Sequence, residues 1–525
     1  MAYDLIAREL NALDSPDRAL FYTSGRTSNE AAFVSQLFVR AYGTNNLPDC
    51  SNMCHESSGF ALKEVIGVGK GSVSLEDLVK ADLILIVGEN PGSNHPRMLA
   101  TLEEAKRAGV SIVSVNPLPD SPRTPHGIED YAAPCARSTG TTCSSQPGCG
   151  RRRSTSSSSE SFDPSGSSSV GQMGITQHKN AVRTIREIVN FLLLRGNMGR
   201  PGAGVCPVRG HTNVQGDRTM GIWERPSDAW LDATRNEFGF EPPRHHGYDV
   251  VESIVAMRDG YADVFMAVVG NFVSAAPDTE VTKAGLRRYR LPVQVSTKLN
   301  RSHAVAGREA LILSTLGRTE IDRQRSGPQF VTVEDSMSER YRERVAVPSG
   351  FVLAHSVRDR RRFDTTTGKA NFTVNELTVL RPPPGRLILQ TLRSHYQFNT
   401  TIYGLDDRYR GIEGGRHVVF VSPPDLAQLG LSDGQYVELV SEWSDGVSRR
   451  ATGFQIVSYP TARGCAAAYY PETNVLVPLE SAADMRNQPS RSRSSCASSR
   501  GRRPDRPRVS LARRRSPCRP GSSRP

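Results

Sequence analysis

Nowhere do the 525 residues hold an apolar run of about eighteen, the length a membrane-crossing helix needs, so no membrane span is expected. The opening residues, Met1-Ala2-Tyr3-Asp4-Leu5, have neither the charged nor the apolar region of a secretion signal, which makes a cytoplasmic location the expectation. Cysteine is sparse and scattered, nine in all, and reads as free thiols rather than a disulfide framework. Acidic residues are nearly missing from the C-terminus. Thirteen arginines face a single acid, Asp505, from Arg486 onward, which accounts for the whole net charge of +12 and leaves the rest of the chain near neutral. That tail could hold polyanions non-specifically, but no aromatic residue is interleaved with it for base stacking, so no specific nucleic-acid partner is expected.

What remains is an ordinary globular composition, 37% apolar and 23% charged, long enough for roughly three or four domains. After an amphipathic helix over 3–13, residues 19–23 read as a buried strand. It ends in Ser24-Gly25-Arg26-Thr27, and a helix follows over 29–41. Strand, glycine turn and helix present backbone N–H groups to a phosphate, although a GxGxxG fingerprint is absent. A second buried strand over 82–87 runs into Gly88-Glu89-Asn90-Pro91. A helix spans 95–108, and a third strand over 110–115 ends at Asn116. Alternating strands and helices predict a parallel, doubly wound sheet whose ligands bind at the carboxyl ends of the strands, where these polar turns lie.

A second segment repeats the pattern. Its strand over 264–269 enters Gly270-Asn271, a helix follows over 279–289, and the strand over 292–297 ends in Thr297-Lys298-Leu299-Asn300-Arg301. From about 387 short strands predominate, which suggests a barrel. The fold class expected is therefore α/β, with two doubly wound parallel-sheet halves and a C-terminal β-barrel. Residues 1–118 form the first α/β segment, 171–380 the second and 386–485 the barrel. Two stretches, 119–170 and 486–525, are rich in Ser, Arg, Pro and Gly without periodicity and read as disordered. Cys135, Cys143 and Cys149 fall in the first of them at spacings that fit no zinc pattern.

Chemistry concentrates at two places. Cys54 and His55 stand together on a predicted loop, where a histidine can lower a thiol's pKa or move a proton beside it. Taken alone, such a cysteine is more often a small buried apolar residue. The stretch Val208-Arg209-Gly210-His211-Thr212-Asn213-Val214-Gln215-Gly216 combines glycine with polar side chains at a density costly for mere scaffold.

Together with Ser24-Gly25-Arg26-Thr27-Ser28-Asn29-Glu30, Gly43-Thr44-Asn45-Asn46, Gly88-Glu89-Asn90-Pro91 with His95-Pro96, and Gly196-Asn197, these motifs resemble the molybdopterin oxidoreductases that carry a bis(molybdopterin guanine dinucleotide) cofactor. The closest resemblance is to their formate-dehydrogenase-like alpha subunits, and it covers most of 1–118 and 171–485. It implies a cofactor cleft between the two α/β halves and two-electron oxidation of formate or a similar small substrate. Cys54 would be the thiolate on molybdenum, His55 a proton acceptor or electrostatic partner, and Arg209 the guanidinium that holds a small carboxylate. Cofactor-binding positions would be Gly25, Asn29, Gly88, Asn90, His95, Asn116, Gly174, Gly210, Asn213, Gln215, Gly270, Asn271, Thr297 and Arg301. The barrel would add Arg393, His395, Asn399, Thr400 and Asn474.

Many family members also bind a 4Fe-4S cluster through closely spaced cysteines, and no such ligand set is visible here. The implied partners are a small-molecule substrate and an unidentified electron-transfer protein. The two odd stretches have the composition expected of a GC-rich gene read out of frame. Rival readings are a related molybdoenzyme with a different small substrate and a truncated, non-catalytic cofactor-binding relative.

Overall fold

The computed structural model describes residues 1–116, 118, 166–171, 173–317, 320–328, 331, 333, 355–376, 382–490 and, for backbone only, 508–513. Eight strands form two four-stranded parallel sheets. In chain order they are β1 (Ala19–Thr23), β2 (Leu83–Val87), β3 (Ser111–Val115), β4 (Ser167–Gly171), β5 (Gly204–Pro207), β6 (Val264–Val268), β7 (Leu291–Ser296) and β8 (Leu311–Ser314). One sheet runs β1-β6-β7-β8 and the other β3-β2-β4-β5. Buried apolar strands such as Ala19–Thr23 suit a parallel sheet covered on both faces. Helices Ala2–Asn11 and Asn29–Tyr42 cover one face of the first sheet, Val250–Asp259 and Thr279–Arg287 the other. Helices Pro96–Arg107 and Ala181–Leu194 sandwich the second sheet in the same way.

The strands expected from periodicity are present, but their grouping differs from a division into 1–118 and 171–380. β1 pairs with β6, register Ala19 with Val264, so the first strand belongs to the sheet of the second segment. Conversely β4 and β5 complete the sheet begun by β2 and β3. Hydrophobic period identifies a strand; it does not say which distant strand completes its hydrogen bonds.

β4 also corrects the reading of 119–170 as wholly unstructured. Ser167–Gly171 lies fully buried between β2 and β5, with the Ser168 hydroxyl donating to the Gly202 carbonyl at 2.8 Å. Four of its five residues are serine or glycine, poor strand formers by propensity, and pairing on both sides overrides that. Cys135, Cys143 and Cys149 lie outside the described residues.

The C-terminal region is a curled six-stranded sheet. Ile388–Leu392, Cys465–Tyr469, Val418–Val421, Arg449–Ser458, Tyr436–Glu442 and Arg508–Arg513 follow one another across it, and its first and last strands approach each other as in a half-barrel. Val419, Val437, Leu439 and Phe454 fill the interior. Arg508–Arg513 pairs antiparallel with Tyr436–Glu442, and Ala482 bridges Pro489, so the stretch from 486 is not uniformly unstructured. Its arginine-rich composition hid both pairings. Among the described residues no helix is long and apolar enough to cross a membrane.

One buried guanidinium joins the helix after β1 to the loop beyond the Arg209 stretch. Arg40 donates to Gln36 Oε1 at 2.5 Å and to the carbonyls of Gly221 and Trp223, both at 3.0 Å. Burial pushes its pKa down to about 10, still far above neutral, so the charge stays and those carbonyls satisfy it.

Candidate active site

The carboxyl ends of both sheets converge on the Cys54 loop. Backbone of 46–49 runs beside β1, with the amides of Phe21 and Thr23 donating to the carbonyls of Asn46 and Pro48 at 3.0 and 3.2 Å. A tight turn, Cys50–Met53, then opens under Asp49, whose Oδ1 accepts from the amides of Ser51 and Asn52 at 3.1 and 3.4 Å, while Asn52 Oδ1 accepts from the Asp49 amide at 3.0 Å. Such reciprocal capping fixes where the next residues emerge. Cys54 emerges there, and His55 starts the helix Glu56–Ile66.

Two separate segments hold the peptide. The Cys54 carbonyl accepts from Thr176 Oγ1 at 2.7 Å and from Gln488 Nε2 at 2.6 Å, and the Met53 carbonyl accepts from Gln177 Nε2 at 2.7 Å. The Cys54 sulfur lies 3.8 Å from Met173 Sδ. It faces a cavity of about 410 Å³ whose lining includes Gly270, Asn271, Thr297, Arg301, Arg393, Asn399 and Thr400. Seven of the predicted cofactor positions are thus gathered around the predicted metal ligand. They come from the ends of β6 and β7 and from the C-terminal sheet domain.

Other predicted positions have different roles. Asn213 Nδ2 donates to Asn29 Oδ1 at 3.0 Å and to the Thr27 carbonyl at 2.7 Å, so these two asparagines brace one turn against another. Gly88 and Gly174 permit two chains to cross: a Cβ on Gly174 would stand 2.4 Å from the Gly88 carbonyl oxygen. Gly25 leaves room for the sulfur of Cys50, which its amide contacts at 3.0 Å. Asn116 bonds the side chain of Asn90, and His95 Nδ1 lies 3.2 Å from Glu89. Gly210 has open space where a Cβ would be. His395 packs against the rings of Tyr396 and Tyr409, at 4.0 and 4.8 Å, and Asn474 Nδ2 donates to the Ser274 carbonyl at 2.7 Å.

His55 and Arg209 do not share the cavity of Cys54. With Gln215 they line a second one, of about 580 Å³, so the adjacent residues Cys54 and His55 face different spaces. Arg209 Nη2 donates to the Gly69 carbonyl at 2.9 Å, and His55 Nδ1 sits 3.0 Å from the Ser58 hydroxyl. Burial, reinforced by the Arg209 charge, pushes the His55 pKa down to about 3. At neutral pH its imidazole is uncharged and a weak base, which fits a hydrogen-bonding partner better than a proton store.

Beneath the loop, Arg218 binds Asp49 at 2.9 Å and Glu56 at 2.7 Å, with Glu224 at 3.9 Å. Burial alone would lower its pKa, and the three carboxylates raise it on balance.

The site tests the cofactor implied by resemblance. Among the described residues, Arg26, Lys298, Arg301 and Arg393 line the first cavity and no Asp or Glu does, a distribution suited to a polyanionic dinucleotide. Among the described residues, Arg26 Nε, on a side chain that lines this cavity, is buried without a hydrogen-bond partner, a group that a polar ligand would satisfy. The thiol, a soft donor, suits a redox metal. The residues fit the group. Among the described residues no set of three or more His, Cys, Asp or Glu is placed to hold a metal ion.

Sequence reasoning missed Arg26 and Lys298 as site residues, although both stand inside motifs it singled out. Met173 and Tyr470 gave no signal, since a lone Met or Tyr on an element end looks like core. Gln488 was hidden by the arginine-rich stretch around it.

A parallel α/β pair of sheets whose ends meet a half-barrel over a thiol and four cations defines the class, and comparison with known proteins agrees. The family model described as molybdopterin oxidoreductase matches residues 1–288, and that of the molydopterin dinucleotide binding domain matches 387–494. The chain belongs to the molybdopterin oxidoreductase family. An uncharacterized oxidoreductase of Mycobacterium tuberculosis is 48% identical over 613 residues, covering 93% of this chain and 79% of its own. The protein YdeP of Escherichia coli K12 is 35% identical over 614 residues, 91% of this chain and 80% of its own. More distantly, the alpha subunit of F420-dependent formate dehydrogenase 2 of Methanococcus maripaludis is 26% identical over 296 residues, 46% of this chain and 44% of its own. Among solved structures, acetylene hydratase from Pelobacter acetylenicus shares the fold with a TM-score of 0.59 at 11% identity, covering 98% of this chain and 89% of that one.

Proposed function

We propose that the protein is a molybdenum-dependent oxidoreductase that carries out two-electron oxidation of a small organic anion, formate being the simplest. The observation that carries this reading is the Cys54 thiol opening into a cavity lined, among the described residues, by four cations and no carboxylate. A molybdenum bis(molybdopterin guanine dinucleotide), when bound, supplies a two-electron acceptor that no side chain can provide.

Cys54 would hold the metal. Arg26, Lys298, Arg301 and Arg393 would neutralise the dinucleotide phosphates, and Asn271, Asn399 and Thr400 would give its polar edges hydrogen bonds. Thr176, Gln177 and Gln488 keep the Cys54 peptide in one place, which would present the sulfur to a metal without reorganisation. Arg209, steadied by the Gly69 carbonyl, would hold the substrate carboxylate with its guanidinium. His55, neutral, would orient it. Oxidation of formate then yields carbon dioxide, a proton and two electrons, the electrons leaving to a protein partner outside this chain.

Replacing Arg209 by Ala tests the reading. Loss of formate oxidation with metal content retained supports a carboxylate substrate. Unchanged kinetics would contradict it.

A further inference from the structure

Sulfur is scarce in this chain, nine cysteines and ten methionines among 525 residues, yet four sulfur side chains, Cys50, Met53, Cys54 and Met173, line the first cavity. Two segments bring them there. The turn Cys50–Met53 and the residue after it supply three, and Met173 opens the short helix that follows β4. All four are buried. The Cys54 sulfur stands 3.8 Å from Met173 Sδ, and Arg393 Nη2 reaches the same thioether at 3.5 Å, which pins it beside the thiol. The Gly25 amide donates to Cys50 Sγ at 3.0 Å and fixes that sulfur in turn.

The proposed function uses only the Cys54 sulfur as a metal ligand. Two sulfurs 3.8 Å apart, each about 2.3 Å from a shared metal, subtend about 110° at it, an angle suited to tetrahedral or trigonal coordination. Cys54 and Met173 thus need no rearrangement to share one ion. Which ion follows from the walls. Among the described residues no Asp or Glu lines this cavity, so a hard cation such as magnesium finds no carboxylate there. Arg26, Lys298, Arg301 and Arg393 repel a bare cation and suit a complex whose thiolates make it negative. Thiolate and thioether together select copper(I).

We propose that, in the chain without the dinucleotide cofactor, Cys54 and Met173 hold one copper(I) ion with Cys50 as the third donor. Burial keeps the Cys50 thiol protonated in the metal-free chain, so binding releases thiol protons to solvent and changes no oxidation state. The site goes beyond the proposed function and does not depend on it. Both draw on the Cys54 sulfur, so one metal excludes the other.

The test uses the purified full chain from a host that does not make the cofactor, kept reduced and free of oxygen. Copper(I) is titrated against a chromophoric copper(I) chelator, and its surroundings are read by X-ray absorption. The tightest site should take one copper per chain in an all-sulfur shell. Cys54→Ser, Cys50→Ser and Met173→Leu, the last a change that keeps volume, should each weaken it at least tenfold. Cys465→Ser, at a thiol that does not line the cavity, should leave it within twofold. Circular dichroism checks that each variant is folded. Unchanged affinity in any of the three cavity variants would place the copper on thiols elsewhere and overturn the proposal. So would no binding in the unaltered chain, or a shell containing nitrogen or oxygen.

Discussion

Gln488 Nε2 donates to the backbone carbonyl of Cys54 at 2.6 Å, a contact between residues 434 positions apart. The same side chain accepts from the Ser57 amide at 2.9 Å, so one amide group ties the turn holding the thiol to the start of the next helix. Gln488 is fully buried, in a stretch whose composition suggested no structure at all.

Removing that side chain leaves the Ser57 amide buried without its acceptor. Gln488→Ala should cost about 1–3 kcal/mol in urea unfolding, the usual penalty of an unsatisfied buried group. Truncations after residues 490 and 485 both remove the strand Arg508–Arg513, and the second, which alone removes Gln488, should cost about 1–3 kcal/mol more. Equal effects of the two truncations would mean that the segment does not support the Cys54 loop.

Arg218 holds Asp49 and Glu56 together under the same loop. In Arg218→Met the charge is lost and these carboxylates, with Glu224, are left facing each other. The expected destabilisation is about 3 kcal/mol, as when one partner of a buried ion pair is removed. Because Asp49 caps the turn Cys50–Met53, reactivity of Cys54 toward a thiol reagent should rise as well. Unchanged reactivity together with unchanged stability would contradict this arrangement.

Asp249 caps the helix Val250–Asp259, and burial, with the Glu252 charge, raises its pKa to about 6. Between about pH 4 and 6 the unfolded chain loses this proton and the folded chain keeps it, so stability contributed here falls as pH rises and is level above about pH 6. Asp249→Asn keeps the cap and removes the titration. Urea unfolding from pH 4 to 7 should show a shallower decline in the variant, by up to about 3 kcal/mol over the window. Parallel profiles would contradict the assignment.

The alignment to the Mycobacterium tuberculosis relative runs to 613 residues, more than the 525 of this chain, so the relative has segments without counterpart here. The out-of-frame reading covers 121–170 and 486–525, and the strand Ser167–Gly171 and the buried Gln488 show that it does not hold to those ends; for the remainder, one of the other two frames of the gene should encode family-like sequence. Absence of resemblance in both frames would refute the idea.

How far the sequence reaches depends on the range of the interaction. Buried runs such as 83–87 and 264–268 announce strands because local pattern determines them. The exchange of β1 between sheets, and the serine strand at 167–171, depend on partners far along the chain, and no window contains them. At the site, motif residues such as Asn271, Thr297 and Arg301 reach the cavity because they end strands. The pairing of Asn29 with Asn213 and the crossing of Gly88 with Gly174 are contacts between motifs, and from one motif each resembles a ligand position.

The central claim is that the Cys54 cavity holds a molybdenum dinucleotide. The most direct measurement is molybdenum and guanine-dinucleotide pterin content per chain, for the protein and for Cys54→Ser and Arg26→Glu, expressed in a host that makes the cofactor. The account predicts near one molybdenum and two pterins in the unaltered chain, altered metal coordination in Cys54→Ser, and loss of pterin in Arg26→Glu. No metal and no pterin in the unaltered chain, or full loading with unchanged coordination in both variants, would contradict it.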